Sequence, residues 1–600
     1  MSRFPTKTLV LLFLVCFSGA ASAQVCTEWQ WANPLPQGNR LAGVAWGGGQ
    51  FVAVGSAGVV LTSPDAQTWT RRTSGTRSDL QGVLWTGDAF VAVGSAGAVI
   101  SSRDGLSWSV RQIRTDATLR RIASNGHLLV TVGDGGSVFT SPDGDRWSAS
   151  LSGTSSSLRS LIWSRARFVA AGDAGTILIT ADGVSWSRSS FSSLDGVTSV
   201  ADDGREFLAT TTGFFDNTNI LHSSDGLTWT ADELGLTAPI QSLLWTSFGY
   251  VGVGDFGSIY RSSDGRTWTR SQATASANLL DVATDGTTLV AIGSRGTILS
   301  SRDSVNWTPR TPGPRAGIAD IAVQGRTAVA GGAGGVLATS VDGGAWTSQS
   351  SGIEGWVLGV ATDGKRLVAV GERGGIVTSP DGLAWSRVDS GTSQILHRVI
   401  WDGKRFVAVG SGGIVLSSSD GASWASMANV IANTLYSIAW NGKVYVAAGG
   451  ERARFLFTST NLSDWTPRYE ETGGSVSDVV WSEAVERFVA VGDAGHIWSS
   501  SDGLSWSGTT VGSLDFYGVA AVGPLFIAVG QQGARADSAD GLAWTPSDSG
   551  TVNDLYGVRA VEGGLFAFGR FGTILRSVCG GTASPVSLSG SRPSVYLAPR

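Results

Sequence analysis

Apolar and polar positions between residues 83 and 111 fall into short blocks with no helical period. Val83-Leu84-Trp85 is an apolar run closed by a Gly-Asp turn, and Phe90-Val91-Ala92-Val93 is apolar throughout, as expected of a strand covered on both faces. Gly94-Ser95-Ala96-Gly97 then turns the chain into Ala98-Val99-Ile100-Ser101. A second turn at Asp104-Gly105 leads to Trp108-Ser109-Val110-Arg111, whose polar character suits an exposed edge. The pattern predicts four short antiparallel strands in one compact unit.

That unit repeats. A tryptophan recurs at 69, 108, 147, 186, 229, 268, 307, 346, 385, 424, 465, 506 and 544, preceded by turns such as SPDGDRW, SSDGLTW and SPDGLAW. Ten of these thirteen turns carry Asp-Gly; the exceptions read DAQTW, DSVNW and NLSDW. A fourteenth unit starts at Leu555 and stops at Cys579 without its tryptophan. The fold class is therefore all-β, a β-propeller of about 14 four-stranded repeats of 39–43 residues. Propellers mostly have four to eight blades. The densest proline cluster, Pro309 to Pro314, falls between repeats 7 and 8, so two seven-bladed propellers are expected, with one large ring as the alternative. Chain order places the first over 24–311 and the second over 312–579. Trp31 lies 38 residues before Trp69, so the N-terminus supplies a fourth strand without a blade of its own, and repeat 14 lacks that strand. The N-terminal strand is expected to complete a blade from later in the chain.

The S-x-D-G-x-x-W turn resembles the Asp-box, or BNR repeat, of sialidases, sortilin-type receptors and photosystem II assembly factors. It departs from the usual pattern by one residue fewer between Asp and Trp, and the Phe/Tyr-Arg-Ile-Pro segment of sialidases is absent. The resemblance to assembly factors implies protein partners; the wider family also admits a glycan-cleaving tandem-propeller glycoside hydrolase. Thirteen copies of one turn read as a folding device, with the carboxylate accepting backbone N–H bonds and the indole packing against the next blade.

Composition narrows the function. Gly is 83 of 600 residues, about twice the usual share of roughly 7%, but without G-X-Y triplets, which excludes collagen and agrees with many tight turns. A formal charge of -5 gives no reason to expect nucleic-acid binding. Arg3 and Lys7, the apolar run Leu9 to Phe17 and Ala21-Ser22-Ala23 form a secretory signal pattern over residues 1–23, cleaved near Ala23. The run is too short for a span of about 20 residues, so a secreted or periplasmic protein with no membrane span after cleavage is expected. Cys26 and Cys579 then remain, both map to the same turn of the repeat, and they read as one disulfide closing the circle. The Gly/Ser/Pro-rich tail, 580–600, has no strand periodicity and is expected to be disordered.

No catalytic residue, metal site or cofactor motif is assigned: the histidines at 127, 222, 397 and 496 have no ligand spacing, and neither a Walker loop nor a nucleophile elbow occurs. The useful signal is a slot that varies within the constant frame. The second residue of the first strand is Gln81, Arg120, Arg159, Thr198 and Gln241 in repeats 2 to 6, and His397, Tyr436, Ser477, Tyr517 and Tyr556 in repeats 10 to 14. Three of only eight tyrosines share it. His397, Tyr436, Tyr517 and Tyr556, with Arg120 and Arg159, are the ligand-binding candidates, for a protein or glycan in the cell envelope or outside. A second variable slot, the turn after the second strand, carries Asp134, Asp173, Asp255, Glu372 and Asp493. The expected function is an exported non-catalytic binding or assembly scaffold.

Overall fold

A computed structural model describes residues 29–578 apart from 35–36, 190, 192, 194, 213–217, 272–275, 312, 314, 342, 428–432, 452 and 562–563. The predicted signal sequence, Cys26, Cys579 and the tail from 580 lie outside these residues. The described strands form fourteen four-stranded antiparallel sheets. Blade 2 is typical: Leu80–Trp85, Phe90–Gly94, Ala98–Ser102 and Ser109–Gln112 pair in order from the axis outward. Its second strand is wholly buried and its outermost strand wholly exposed, as the hydrophobic pattern requires.

Two aromatic contacts and one turn build blade 2. The ring of Phe90 sits 4.6 Å from that of Trp85 and 6.5 Å from that of Trp108. In the turn, Asp104 accepts hydrogen bonds from the Leu106 and Ser107 N–H groups at 2.8 and 2.9 Å and from the Ser102 hydroxyl at 2.9 Å, while the Trp108 indole N–H donates to the Gly105 carbonyl at 3.0 Å. The irregular NLSDW turn keeps this geometry: Asn461 accepts the N–H groups of Ser463 and Asp464, both at 2.9 Å. An amide serves as well as a carboxylate, which marks the turn as a fold element. Where the carboxylate is present, the backbone donors hold it below the usual range, to about 2 at Asp264. The indole also seals the joint between blades, since Trp69 of blade 1 packs with Ala283, Val290 and Ile292 of blade 7.

The innermost strands decide how many rings there are. Leu41–Gly47 of blade 1 lies against Leu279–Thr284 of blade 7, and Ile318–Gln324 of blade 8 lies against Leu555–Val561 of blade 14. The chain is two seven-bladed propellers. Each blade of the first is built from consecutive strands. The second closes differently: Trp29–Asn33 pairs with Ile574–Val578 as the outer strand of blade 14, in the register Trp29↔Ser577 and Trp31↔Leu575. Chain order would have counted residues 29–33 with the first propeller; backbone pairing gives them to the second, because the edge of Ile574–Val578 is otherwise open. The segment that then runs on to blade 1 is tied to blade 14: the Asn39 side-chain amide donates to the Gly550 carbonyl at 3.2 Å and accepts from the Thr551 hydroxyl at 2.8 Å.

Candidate functional site

The second residue of each innermost strand is placed by a recurrent bulge. Leu396 pairs with Gly410 and Arg398 with Val409, so His397 drops out of the ladder, and the same shift occurs at Tyr436, Ser477, Tyr517 and Tyr556. A bulge re-aims the unpaired side chain. In the second ring all seven such residues, Ala319, Leu358, His397, Tyr436, Ser477, Tyr517 and Tyr556, line one cavity of about 300 Å³. Four of the candidates named from sequence thus converge.

Their rings pack edge to face in one pair and tilted in the other. His397 and Tyr436 have ring centroids 5.2 Å apart at 77°, and Tyr517 and Tyr556 stand 6.4 Å apart at 56°. Trp356, just ahead of the first strand of blade 9, reaches over blade 8 to within 6.1 Å of Tyr556. Gly317 makes that possible, because a Cβ there would lie 3.0 Å from the Trp356 ring and 3.3 Å from Tyr556. Burial pushes the three tyrosine hydroxyls above the usual phenol range. It lowers His397 to about 4, against the pull of Glu451, so the imidazole is neutral near pH 7 and meets the Ser411 hydroxyl at 3.2 Å.

The floor is built by the third residue of the strand in blades 8, 10 and 12 (Asp320, Arg398 and Asp478) and by the fifth, Arg559, in blade 14. Arg559 donates to Asp320 at 2.8 Å and to Asp478 at 3.2 Å, and Arg398 lies 3.3 Å from Asp320. Asp320 also accepts the Val360 N–H at 3.0 Å; Asp478 accepts the Val519 N–H at 3.1 Å and the Ser437 hydroxyl at 2.6 Å. Burial raises both carboxyls above the usual range while Arg398 opposes it. In blades 13 and 14 the third position is Gly518 and Gly557, and a Cβ on Gly518 would lie 2.5 Å from the Gly557 Cα, so the backbones themselves are in contact there.

The first ring uses the same slots for other chemistry. Arg120 pairs with Asp134 and Arg159 with Asp173, each within its own blade, and the Gln241 amide donates to Asp255 at 3.3 Å. The two variable slots of the repeat therefore face each other across the bulge. Arg120 and Arg159 stand at the mouth of the other ring, apart from the aromatic group. The floor of the first ring is reduced to Asp281, which accepts the Ser242 hydroxyl at 2.8 Å and the Val44 N–H at 2.9 Å, with Arg121 at 3.8 Å. Among the described residues no cluster of His, Cys, Asp and Glu has the makings of a metal site, and no helix is long and apolar enough to cross a membrane.

Solved structures resemble this architecture. A GH74 enzyme of Niastella koreensis aligns over 92% of this chain and 99% of its own, with a TM-score of 0.59 and 14% identity. PorZ, a surface component of the type-IX secretion system of Porphyromonas gingivalis, aligns over 92% of this chain and 87% of its own, at 0.60 and 13%. YCF48 bound to a D1 peptide aligns over 44% of this chain and 94% of its own, at a TM-score of only 0.39 and 19% identity. No protein-family model matches the chain, and neither does any curated protein. The likeness is one of fold. At these identities the propeller carries over and the chemistry of the neighbours does not.

Sequence reasoning missed Trp356 and the floor residues Asp320, Arg398, Asp478 and Arg559. A signal was present: each floor residue is a charge inside an otherwise apolar innermost strand, as in IADIAV, LHRVIW and VSDVVW.

Proposed function

We propose that this chain is an exported binding or assembly scaffold of the Asp-box propeller class that engages a protein or glycan at the mouth of its second ring. The observation that carries the reading is the convergence of His397, Tyr436, Tyr517 and Tyr556, from four blades, on one cavity whose charged floor is cross-linked by two arginines. Aromatic groups with polar tips, gathered in a partly enclosed site, are the composition of binding hot spots. In this reading residues 24–311 and 312–579 delimit the two propellers apart from the strand that crosses between them, and a Cys26–Cys579 disulfide reinforces the closing blade. The test is ligand capture from the cell envelope and from a glycan array by the wild type and by a Tyr436→Ala, Tyr517→Ala, Tyr556→Ala triple variant. Retained folding with affinity reduced about thirtyfold or more is expected, since truncating one hot-spot aromatic costs about 2 kcal/mol or more. A variant that folds and binds normally removes the tyrosines from the site.

Glycan cleavage is the second reading, favoured by one observation: two buried carboxyls with raised proton affinity, Asp320 and Asp478, beneath the aromatic rim. Both are tied to guanidinium groups and backbone N–H donors, a structural duty that leaves little freedom for acid–base work. Release of reducing sugar by the wild type that is lost in Asp478→Asn would favour this reading over binding alone.

A further inference from the structure

The mouth of the second ring has a charge balance that selects among ligands. At its floor, Arg398 and Arg559 are shared between Asp320 and Asp478, two cations against two anions, with each carboxylate also capped by a backbone N–H. A charged ligand gains no unpaired counter-ion there. A ligand anion would have to compete with Asp320 and Asp478 for the two guanidinium groups; the Arg398 Nε has no hydrogen-bond partner but is itself buried. A ligand cation, which aromatic rings alone would attract, is opposed by the two arginines that line the same cavity. Above the floor the cavity itself is lined by neutral groups: three phenols, an indole, the Ser475 and Ser477 hydroxyls and an imidazole that burial keeps uncharged near pH 7; the charges behind this rim, Glu451, Asp515, Asp554 and Arg570, do not line the cavity.

The shape agrees. Around the mouth the aromatic side chains fall into two groups, Trp356–Tyr556–Tyr517 on one side and His397–Tyr436 on the other. The gaps between them are Ala319 and Leu358 on one flank and Ser477 on the other. Flat apolar faces alternate with hydroxyl and imidazole hydrogen-bonding groups over a cavity of about 300 Å³, at the small end of ligand pockets, which run to about 1,000 Å³. A carbohydrate ring presents the complementary surface, C–H faces to stack on aromatics and a girdle of hydroxyls to exchange hydrogen bonds.

We infer that the second ring takes the end of an uncharged saccharide, one or two sugar rings, in the cavity bounded by Trp356, His397, Tyr436, Tyr517 and Tyr556. This rests on the reading of the mouth as a binding site and deepens it by naming the ligand class.

The experiment is saturation-transfer NMR on the full chain with three sets of probes: neutral mono- and disaccharides of glucose, galactose and N-acetylglucosamine; the matching uronic acids; and choline. Transfer to at least one neutral sugar is expected, with uronic acids and choline at least tenfold weaker. The signal should vanish in the Tyr436→Ala, Tyr517→Ala, Tyr556→Ala variant. It should also vanish in Ala319→Tyr, which fills the cavity without removing an aromatic and places at that slot a residue that three other blades accept there. Thermal melts establish that both variants fold. Absence of neutral-sugar transfer, or stronger transfer to a uronic acid or choline, overturns the saccharide assignment. So does a neutral-sugar signal unchanged in both variants. In any of these cases, if capture of an envelope partner is still lost in the triple variant, the mouth remains a binding site and only the ligand class fails.

Discussion

The two rings share a repeat, a blade and a turn, yet differ at closure and at the mouth. The first ring is closed without a shared sheet: the innermost strand of blade 7 packs against that of blade 1, the Asp281 carboxylate accepts the Val44 N–H across the joint, and every sheet is made of consecutive strands. The second is closed within a sheet, by Trp29–Asn33 added to blade 14 from more than five hundred residues away in sequence. At the mouth, the first ring carries Arg120 and Arg159 in two of its bulge slots, each held by a carboxylate of its own blade, and the second carries His397, Tyr436, Tyr517 and Tyr556 in four of its own. The scaffold thus constrains position, while the side chain in one slot is free to change chemistry. That freedom exists because a bulged residue contributes no ladder hydrogen bond.

The comparison can be broken most sharply at closure. Trp31 is buried among Ala520, Ile527, Val529 and Leu555, so Trp31→Ala should cost about 3–5 kcal/mol, the usual range for a large core aromatic cut to Ala. Hydrogen exchange should then accelerate in blades 13 and 14 and stay unchanged in blades 2 to 6. Equal loss of protection in both rings would mean that the first ring, too, depends on the N-terminal strand.

The floors should differ next. Removing Asp320 leaves Arg559 and Arg398 short of a buried partner, and breaking a buried ion pair commonly costs about 3–5 kcal/mol. Asp320→Ala is therefore expected to lower stability more than Asp281→Ala, whose guanidinium neighbour among the described residues, Arg121, stands 3.8 Å away. Paired chemical denaturation curves measure the difference, and equal effects would show that the larger network adds nothing.

Acid separates the rings by pH window. Backbone N–H donors hold the turn carboxyls of Asp65, Asp104, Asp143, Asp182, Asp225, Asp264 and Asp303 below their ordinary range in the first ring, and those of Asp381, Asp420, Asp502 and Asp540 in the second. A carboxyl with a depressed folded pKa contributes stability above about pH 4 that is lost as pH falls toward its folded value. With seven such carboxyls against four among the described residues, the first ring should lose more between about pH 4 and 2. The second has an earlier window of its own. His397 is kept neutral by burial and titrates at about 4 against about 6.5 unfolded, so its contribution is present above 6.5 and drains away as pH falls from there to 4. Pulse hydrogen exchange after incubation at each pH should show blades 10 and 11 softening first, and His397→Asn should abolish that early phase.

The smallest effect is expected at the first mouth. Arg120–Asp134 and Arg159–Asp173 are solvent-exposed ion pairs, worth about 0–1 kcal/mol each. Arg120→Ala and Arg159→Ala should shift the thermal transition slightly and leave ligand capture at the second ring untouched. Loss of capture in either would merge the two mouths into one functional surface.

What the sequence determined by itself is the blade and its count. Strand periodicity, the Asp-Gly turn and the spacing of tryptophans are short-range properties: Asp104 meets donors two and three residues on, and Trp85 meets Phe90 across a turn. The variable slot carrying His397, Tyr436, Tyr517 and Tyr556 was visible for the same reason, as a deviation within a fixed register. The tertiary structure alone decided who meets whom across blades. Arg559 meets Asp320, 239 residues away, and Trp356 crosses blade 8 to Tyr556. The repeat pattern already gave the N-terminal strand to a blade from later in the chain; backbone pairing fixed that blade as the fourteenth and so the ring it closes. Cross-blade contacts depend on the angle between blades and on the one-residue shift of each bulge. Both arise when fourteen sheets close into two circles, and no local run of residues encodes them.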